Sequence, residues 1–177
     1  MSKPKEESFP ARIEEKIRQE GLVYKVKNGG QSGDASSDGI YRLSYWLSEP
    51  IDVFVLELGI NDIIRGTPPN RTKQNLDEIL RRVRQKFPNC KLVIMGMEAP
   101  ESIRTQGIFA FSSANEIKEF KSIFRDLANS HKATLIPFFL QGVAGVRHLN
   151  LPDGLHPNGE GYKVIADHAW QFIRGIL

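Results

Sequence analysis

The stretch Val53-Phe54-Val55-Leu56-Glu57-Leu58-Gly59-Ile60-Asn61-Asp62 decides the fold. Its first six residues form an almost unbroken apolar, β-branched and aromatic run. Such a run suits a strand buried on both faces of a parallel sheet. Leu92–Met97 repeats the pattern, and Tyr24–Val26 and Thr134–Phe138 are shorter versions of it. Helical periodicity fills the intervals. Ile13 and Ile17 mark one short helix, stopped by Gly21, and Ile40, Leu43 and Leu47 mark a second. Leu76, Ile79, Leu80, Val83 and Phe87 trace a 3.6-residue stripe along a third. Ser113 and Glu116 stand in capping-box spacing before Ile117, Phe120, Phe124 and Leu127. Tyr162, Ile165, Ala169 and Phe172 mark the last helix. Strands alternating with helices predict an α/β fold with a mostly parallel sheet. Ligands of such sheets bind beyond the carboxyl ends of the strands, so chemistry is expected in the loops that follow them.

The bounds on the whole chain agree with this. At 177 residues, with 40% hydrophobic and 25% charged residues, it has the size and composition of one globular domain. Net charge is only +3, too small to argue for nucleic acid without a concentrated patch. The densest basic stretch, Arg81, Arg82, Arg84, Lys86 and Lys91, falls largely off the apolar stripe and reads as a solvated face. Cys90 stands alone, which excludes an intrachain disulfide and a cysteine-based zinc site. No apolar run approaches a membrane span, and residues 1–8 carry no signal peptide.

Three loops carry candidate chemistry. Asn28-Gly29-Gly30-Gln31-Ser32-Gly33-Asp34 follows the first run, and its glycines let backbone N–H groups approach a ligand. Ser32 and Asp34 read there as turn and helix-capping residues. After the second run, Asn61 is either a turn former or an amide donor to a developing oxyanion, and Asp62 reads as a helix cap. Near the C-terminus, Leu151-Pro152-Asp153-Gly154-Leu155-His156-Pro157-Asn158-Gly159 puts Asp153 and His156 three residues apart on one stiff turn. There the carboxylate can accept the imidazole N–H and leave the other ring nitrogen as a base. A metal site at this pair would need a third ligand, and none stands at a recognisable spacing. His131 and His148 read as surface residues and His168 as a helix residue.

Together these loops resemble the SGNH hydrolases, also known as GDSL esterases, and most closely the bacterial arylesterase, thioesterase and lysophospholipase branch. Residues 28–34 are similar to the second block of that family, Gly59-Ile60-Asn61-Asp62 to its third, and Asp153-Gly154-Leu155-His156-Pro157 to its fifth. Val55–Gly59 and Ile136–Gly145 are also similar to that branch. The resemblance implies a flavodoxin-like three-layer α/β sandwich and hydrolysis of carboxylic esters or thioesters through an acyl-serine intermediate. It implies His156 as general base, Asp153 as its orienting acid, and Gly33 (backbone N–H) with Asn61 (side-chain amide) as the oxyanion hole. Ile63, Ile64 and Pro68 are expected at the acyl pocket, with Ile108, Phe109 and Phe111 closing over it or packing in the core. No metal or organic cofactor is implied, and the expected partner is a small acyl ester or thioester.

The first block of the family, Gly-Asp-Ser-Leu, is not in the sequence. Counting back from Glu7-Ser8-Phe9-Pro10 puts the nucleophile a few residues before Met1, so no residue here is assigned that role. The expectation is a single domain, residues 1–177, incomplete at its N-terminus and inactive as written. A strand would be missing between Tyr24–Val26 and Val53–Leu58, leaving open edges that invite self-association. The compartment is not readable, since a signal peptide would also lie upstream. Two rival readings stay open: an inactive, ligand-binding relative, and a flavodoxin-like phosphate or nucleotide binder using Gly29–Gly33.

Overall fold

A computed structural model describes residues 7–98 and 113–177 of the chain. These divide into two compact units, one formed by residues 30–138 and the other by residues 7–29 with 139–177.

The first unit holds the sheet. Strands β1 (Val53–Leu56), β2 (Lys91–Met95) and β3 (Thr134–Ile136) run parallel in the order β1-β2-β3. Val55 pairs in register with Val93, and Ile94 with Leu135. The strands are joined through helices α3 (Ile60–Ile64), α4 (Pro69–Lys86) and α5 (Ala114–His131), and α2 (Ser36–Trp46) precedes β1. Parallel neighbours require such crossovers, which lay an apolar helix face on the sheet. Leu76, Ile79, Leu80 and Val83 of α4 meet Phe120, Ile123, Phe124 and Leu127 of α5 and Leu92 and Ile94 of β2 in one buried core. Truncating any of the large ones to alanine is expected to cost about 2–5 kcal/mol. The capping box forms as its spacing predicts: Glu116 N donates to Ser113 Oγ at 3.2 Å, and Ser113 N donates to Glu116 Oε2 at 2.7 Å.

The second unit pairs α1 (Phe9–Gln19) with α6 (Gly159–Ile173). Ile13 and Ile17 are buried on α1, as are Ile165, Ala166 and Ala169 on α6. Gly21 N donates to Arg18 O and Leu22 N to Ile17 O, a C-terminal cap that explains why α1 stops at Gly21. Glu20 ties the two helices by accepting from Trp170 Nε1 at 2.9 Å and Arg174 Nε at 2.7 Å.

Two sequence-based expectations about strands need correction. Tyr24–Val26 is not a strand: among the described residues no strand pairs with it, and Val23 beside it is fully exposed. A strand is defined by its ladder, and apolar content alone does not create one. β2 is buried on both faces as expected, but β1 is not, since Val55 is 38% exposed on a strand with one ladder neighbour among the described residues. His131 is also misread as a surface residue. Its Nε2 lies 2.7 Å from Asp77 Oδ1, and its side chain is mostly buried. The basic stretch is partly structural: Arg81 and Arg82 both pair with Glu78, and Arg84 donates to Cys90 O at 2.6 Å.

Candidate active site

In the unit that ends the chain, the Asp153–His156 turn is built by a short antiparallel bridge. Asn150 and Pro157 face each other across it, and Leu151 N donates to His156 O at 2.7 Å. Asp153 is held from two sides. Its Oδ1 accepts the backbone N–H of Leu155 at 2.9 Å and of His156 at 3.0 Å. Its Oδ2 lies 2.9 Å from His156 Nδ1. The backbone donors of His156 and Leu155, with the imidazole, bring the Asp153 carboxyl down to about 2. A carboxylate so placed fixes Nδ1 as the protonated ring nitrogen. His156 Nε2 then carries the lone pair, and no protein partner engages it among the described residues. The His156 side chain is 61% exposed.

Two asparagines that sequence reasoning did not single out hold this turn. Asn150, itself buried, donates to Val143 O at 2.7 Å and Val146 O at 2.8 Å. Asn158 caps α6 by accepting from Gly161 N at 3.0 Å and donates to His148 O at 2.8 Å. A Cβ on Gly161 would meet Leu149 O at 2.2 Å, so the helix start can pack against the turn only as glycine. The signal for Asn158 was legible as an Asn followed by Gly-Glu-Gly before an apolar stripe. For Asn150 there was none. Among the described residues no third histidine, carboxylate or thiol joins the pair in a group that could hold a metal ion.

In the sheet-bearing unit, Gly59 at φ +126° turns the chain out of β1 directly into α3. That conformation strains any residue with a Cβ. Asn61 follows, and its Nδ2 donates to Asp34 O at 2.9 Å. An amide nitrogen has two hydrogens, and the second has no protein acceptor among the described residues. Gly33 sits at φ +88°, and its carbonyl accepts from Arg65 Nη2 at 2.5 Å. Its N–H is likewise without a protein acceptor among the described residues.

The neighbours of these donors differ from the sequence reading. Asp34 does not cap α2. It is buried and paired with Arg42, whose Nε donates at 2.8 Å, while Asp38 caps the helix by accepting Ala35 N at 2.8 Å. Asp62 does not cap α3, whose first turn starts at Gly59. It is 1% exposed and accepts Ser36 N at 2.7 Å, the Ser36 hydroxyl, and Thr72 Oγ1 at 3.3 Å. Of the expected acyl-pocket residues, Ile63 is in the core, Ile64 and Pro68 are exposed, and Ile108, Phe109 and Phe111 lie outside the described residues. Cys90 is no stand-in nucleophile, because it is buried and burial pushes its thiol up.

Comparison with known proteins gives these groups a context. Residues 4–164 match the GDSL-like lipase/acylhydrolase family. The chain is 30% identical over 172 residues to esterase TesA of Pseudomonas aeruginosa, covering 97% of this chain and 80% of that protein. It is 32% identical over 161 residues to thioesterase 1/protease 1/lysophospholipase L1 of Escherichia coli K12, covering 90% and 71%. The crystal structure of TesA superposes with a TM-score of 0.88 at 28% identity, covering all of this chain and 93% of that one. Esterase EstA of a Pseudoalteromonas species, in a structure inhibited by monoethylphosphonate, gives 0.82 at 26% identity, covering 96% and 87%. The chain therefore belongs to the GDSL-like lipase/acylhydrolase family, the SGNH hydrolases.

Proposed function

We propose that this protein hydrolyses a carboxylic ester or thioester through an acyl-serine intermediate, with the serine supplied by a segment preceding Met1. His156 Nε2 takes the serine proton as the hydroxyl attacks the acyl carbon. Asp153 steadies the imidazolium from the Nδ1 side without itself taking the proton. The Gly33 N–H and the free Asn61 amide hydrogen donate to the oxyanion of the tetrahedral intermediate. His156 then returns the proton to the departing alcohol or thiol, and water repeats the sequence to release the acid. The observation that carries this reading is the 2.9 Å contact of His156 Nδ1 with Asp153, which leaves Nε2 unengaged. The names of the relatives, esterase, arylesterase and thioesterase/lysophospholipase, support an acyl ester or thioester as the substrate class.

The test compares the 177-residue chain with one extended upstream through a Gly-Asp-Ser block. The longer chain is expected to turn over p-nitrophenyl esters and take a fluorophosphonate label, and the shorter to do neither. Labelling of the short chain would overturn the upstream serine and make Ser8 and Ser32 the first residues to mutate. A labelled serine with no ester turnover in the long chain would favour an inactive, ligand-binding relative. The short chain is also expected to self-associate through the open edge of β1, read by light scattering.

A further inference from the structure

We propose that Asp62 is a positioning residue: its buried carboxyl group sets the spacing between the two oxyanion donors, Gly33 N–H and the Asn61 amide. The inference rests on the ester-hydrolase reading for what those donors do, and on the network itself for how they are held. Residues 33–36 and 61–65 are linked at three points. Arg65 reaches Gly33 O at 2.5 Å, Asn61 reaches Asp34 O at 2.9 Å, and Asp62 takes both the N–H (2.7 Å) and the hydroxyl of Ser36. The three links differ in their surroundings. The Arg65 side chain is 54% exposed and Asn61 is half-buried, so water competes for both bonds. Asp62 is 1% and Ser36 0% exposed, so their bonds have no such competitor and are costly to lose.

The buried link also reaches the core. Asn75 Nδ2 donates to Ser36 Oγ at 2.9 Å, which obliges the Ser36 hydroxyl to send its own hydrogen to Asp62. Thr72 donates to the same Asp62 oxygen from one turn earlier on α4. Both residues sit on the helix that Leu76, Ile79 and Leu80 fix in the core. Rigid α4 thus grips Asp62 and Ser36, and these two grip the loops that carry the donors. Asn61 is the residue before Asp62, and Gly33 is three residues before Ser36. An amide at position 62 could accept at one oxygen only, so one of the two Ser36 donors would face an N–H₂ group. The loops would have to shift to relieve it. Because oxyanion contacts tighten only in the transition state, the shift should appear in kcat and not in KM.

The kinetic test uses the chain extended through its serine block, with Asp62→Asn, Ser36→Ala, Asn61→Ala and the double variant Asp62→Asn/Asn61→Ala. Asp62→Asn is expected to lower kcat for p-nitrophenyl butyrate by about 10- to 100-fold, with KM within about threefold. On the Asn61→Ala background the same change should cost less than about threefold, because Gly33 N–H then has no second donor from which to be spaced. An unchanged kcat in Asp62→Asn, or a full multiplication of the two effects, overturns the positioning role. Should Asp62→Asn not fold, Ser36→Ala removes the hydroxyl's bonds to Asp62 and Asn75, keeps the Ser36 N–H on Asp62, and is expected to show the same pattern at smaller amplitude. A second readout needs no activity. In the 177-residue chain, the NMR signals of Gly33 N–H and the Asn61 side-chain amide should shift together in Ser36→Ala, and unmoved signals overturn the role. If Asn61→Ala leaves kcat intact while these signals move, the oxyanion reading fails and the positioning network stands.

Discussion

The two candidate regions of this molecule hold a carboxyl group in opposite ways. Asp153 lies on an exposed turn, and its partners are backbone N–H groups and one imidazole. Asp62 lies in the core, and its partners are a helix-terminal N–H and hydroxyls from Ser36 and Thr72. Water can replace what is lost around Asp153 but cannot reach Asp62. Damage at the first should therefore register in chemistry with little change in stability, and damage at the second in both.

The largest effect tests that contrast at its exposed end. In the serine-bearing chain, His156→Ala is expected to lower kcat by at least about 10³-fold, because the serine loses its base. Asp153→Asn should approach that loss by presenting the wrong tautomer. Neither should move Tm by more than about 2 °C, since surface changes away from packed features cost little. Wild-type turnover in His156→Ala would remove this turn from the mechanism.

Asn61→Ala comes next and sharpens the comparison from the other side. It is expected to cost about 2.7–4 kcal/mol of transition-state stabilisation, mostly in kcat. Were Asn61 a turn former only, Tm would fall while turnover per folded molecule stayed the same. Asp62→Ala then probes the buried end directly. It leaves the two Ser36 donors without their acceptor and the Thr72 hydroxyl with Pro68 O alone, and about 3 kcal/mol of unfolding free energy should be lost. Urea denaturation of the 177-residue chain checks this. A loss below about 1 kcal/mol would mean that water enters the site and the contrast is false.

The same contrast explains what was legible in the sequence. The Asp153–His156 turn could be read because its parts are three residues apart and bracketed by Pro and Gly, so local geometry alone brings them together. The capping box of α5 and the stripe of α4 were legible for the same local reason. The Asp62 network was not. Ser36 lies 26 residues away and Thr72 ten, and an Asp just after a strand resembles an ordinary cap. Tyr24–Val26 failed in the same way, because pairing is a relation between segments and its apolar residues say nothing about a neighbour. Val55 shows the converse, an apolar residue in a true strand that is left partly open.

The smallest effect concerns pH, and its sign follows from the donors around Asp153. Two backbone N–H groups and the His156 ring favour the ionised form, taking the carboxyl from 3.8 to about 2. A group depressed on folding stabilises the native state above its unfolded value, and the contribution disappears as pH falls through the folded one. For Asp153 that window runs from 3.8 down to about 2. The turn is solvent-exposed, so screening keeps the stabilisation small. Above pH 4 Asp153 should stay ionised, and the acid limb of the activity profile cannot come from it. Carbon-detected NMR titration of the Asp153 side chain should give a midpoint well below 3.8. Replacing His156 by Ala should raise that midpoint only slightly, because the backbone of residues 155 and 156 supplies the larger share of the shift. A return to the full unfolded value in His156→Ala would instead make the imidazole the main holder of the carboxylate, and the turn a weaker scaffold than its hydrogen bonds indicate.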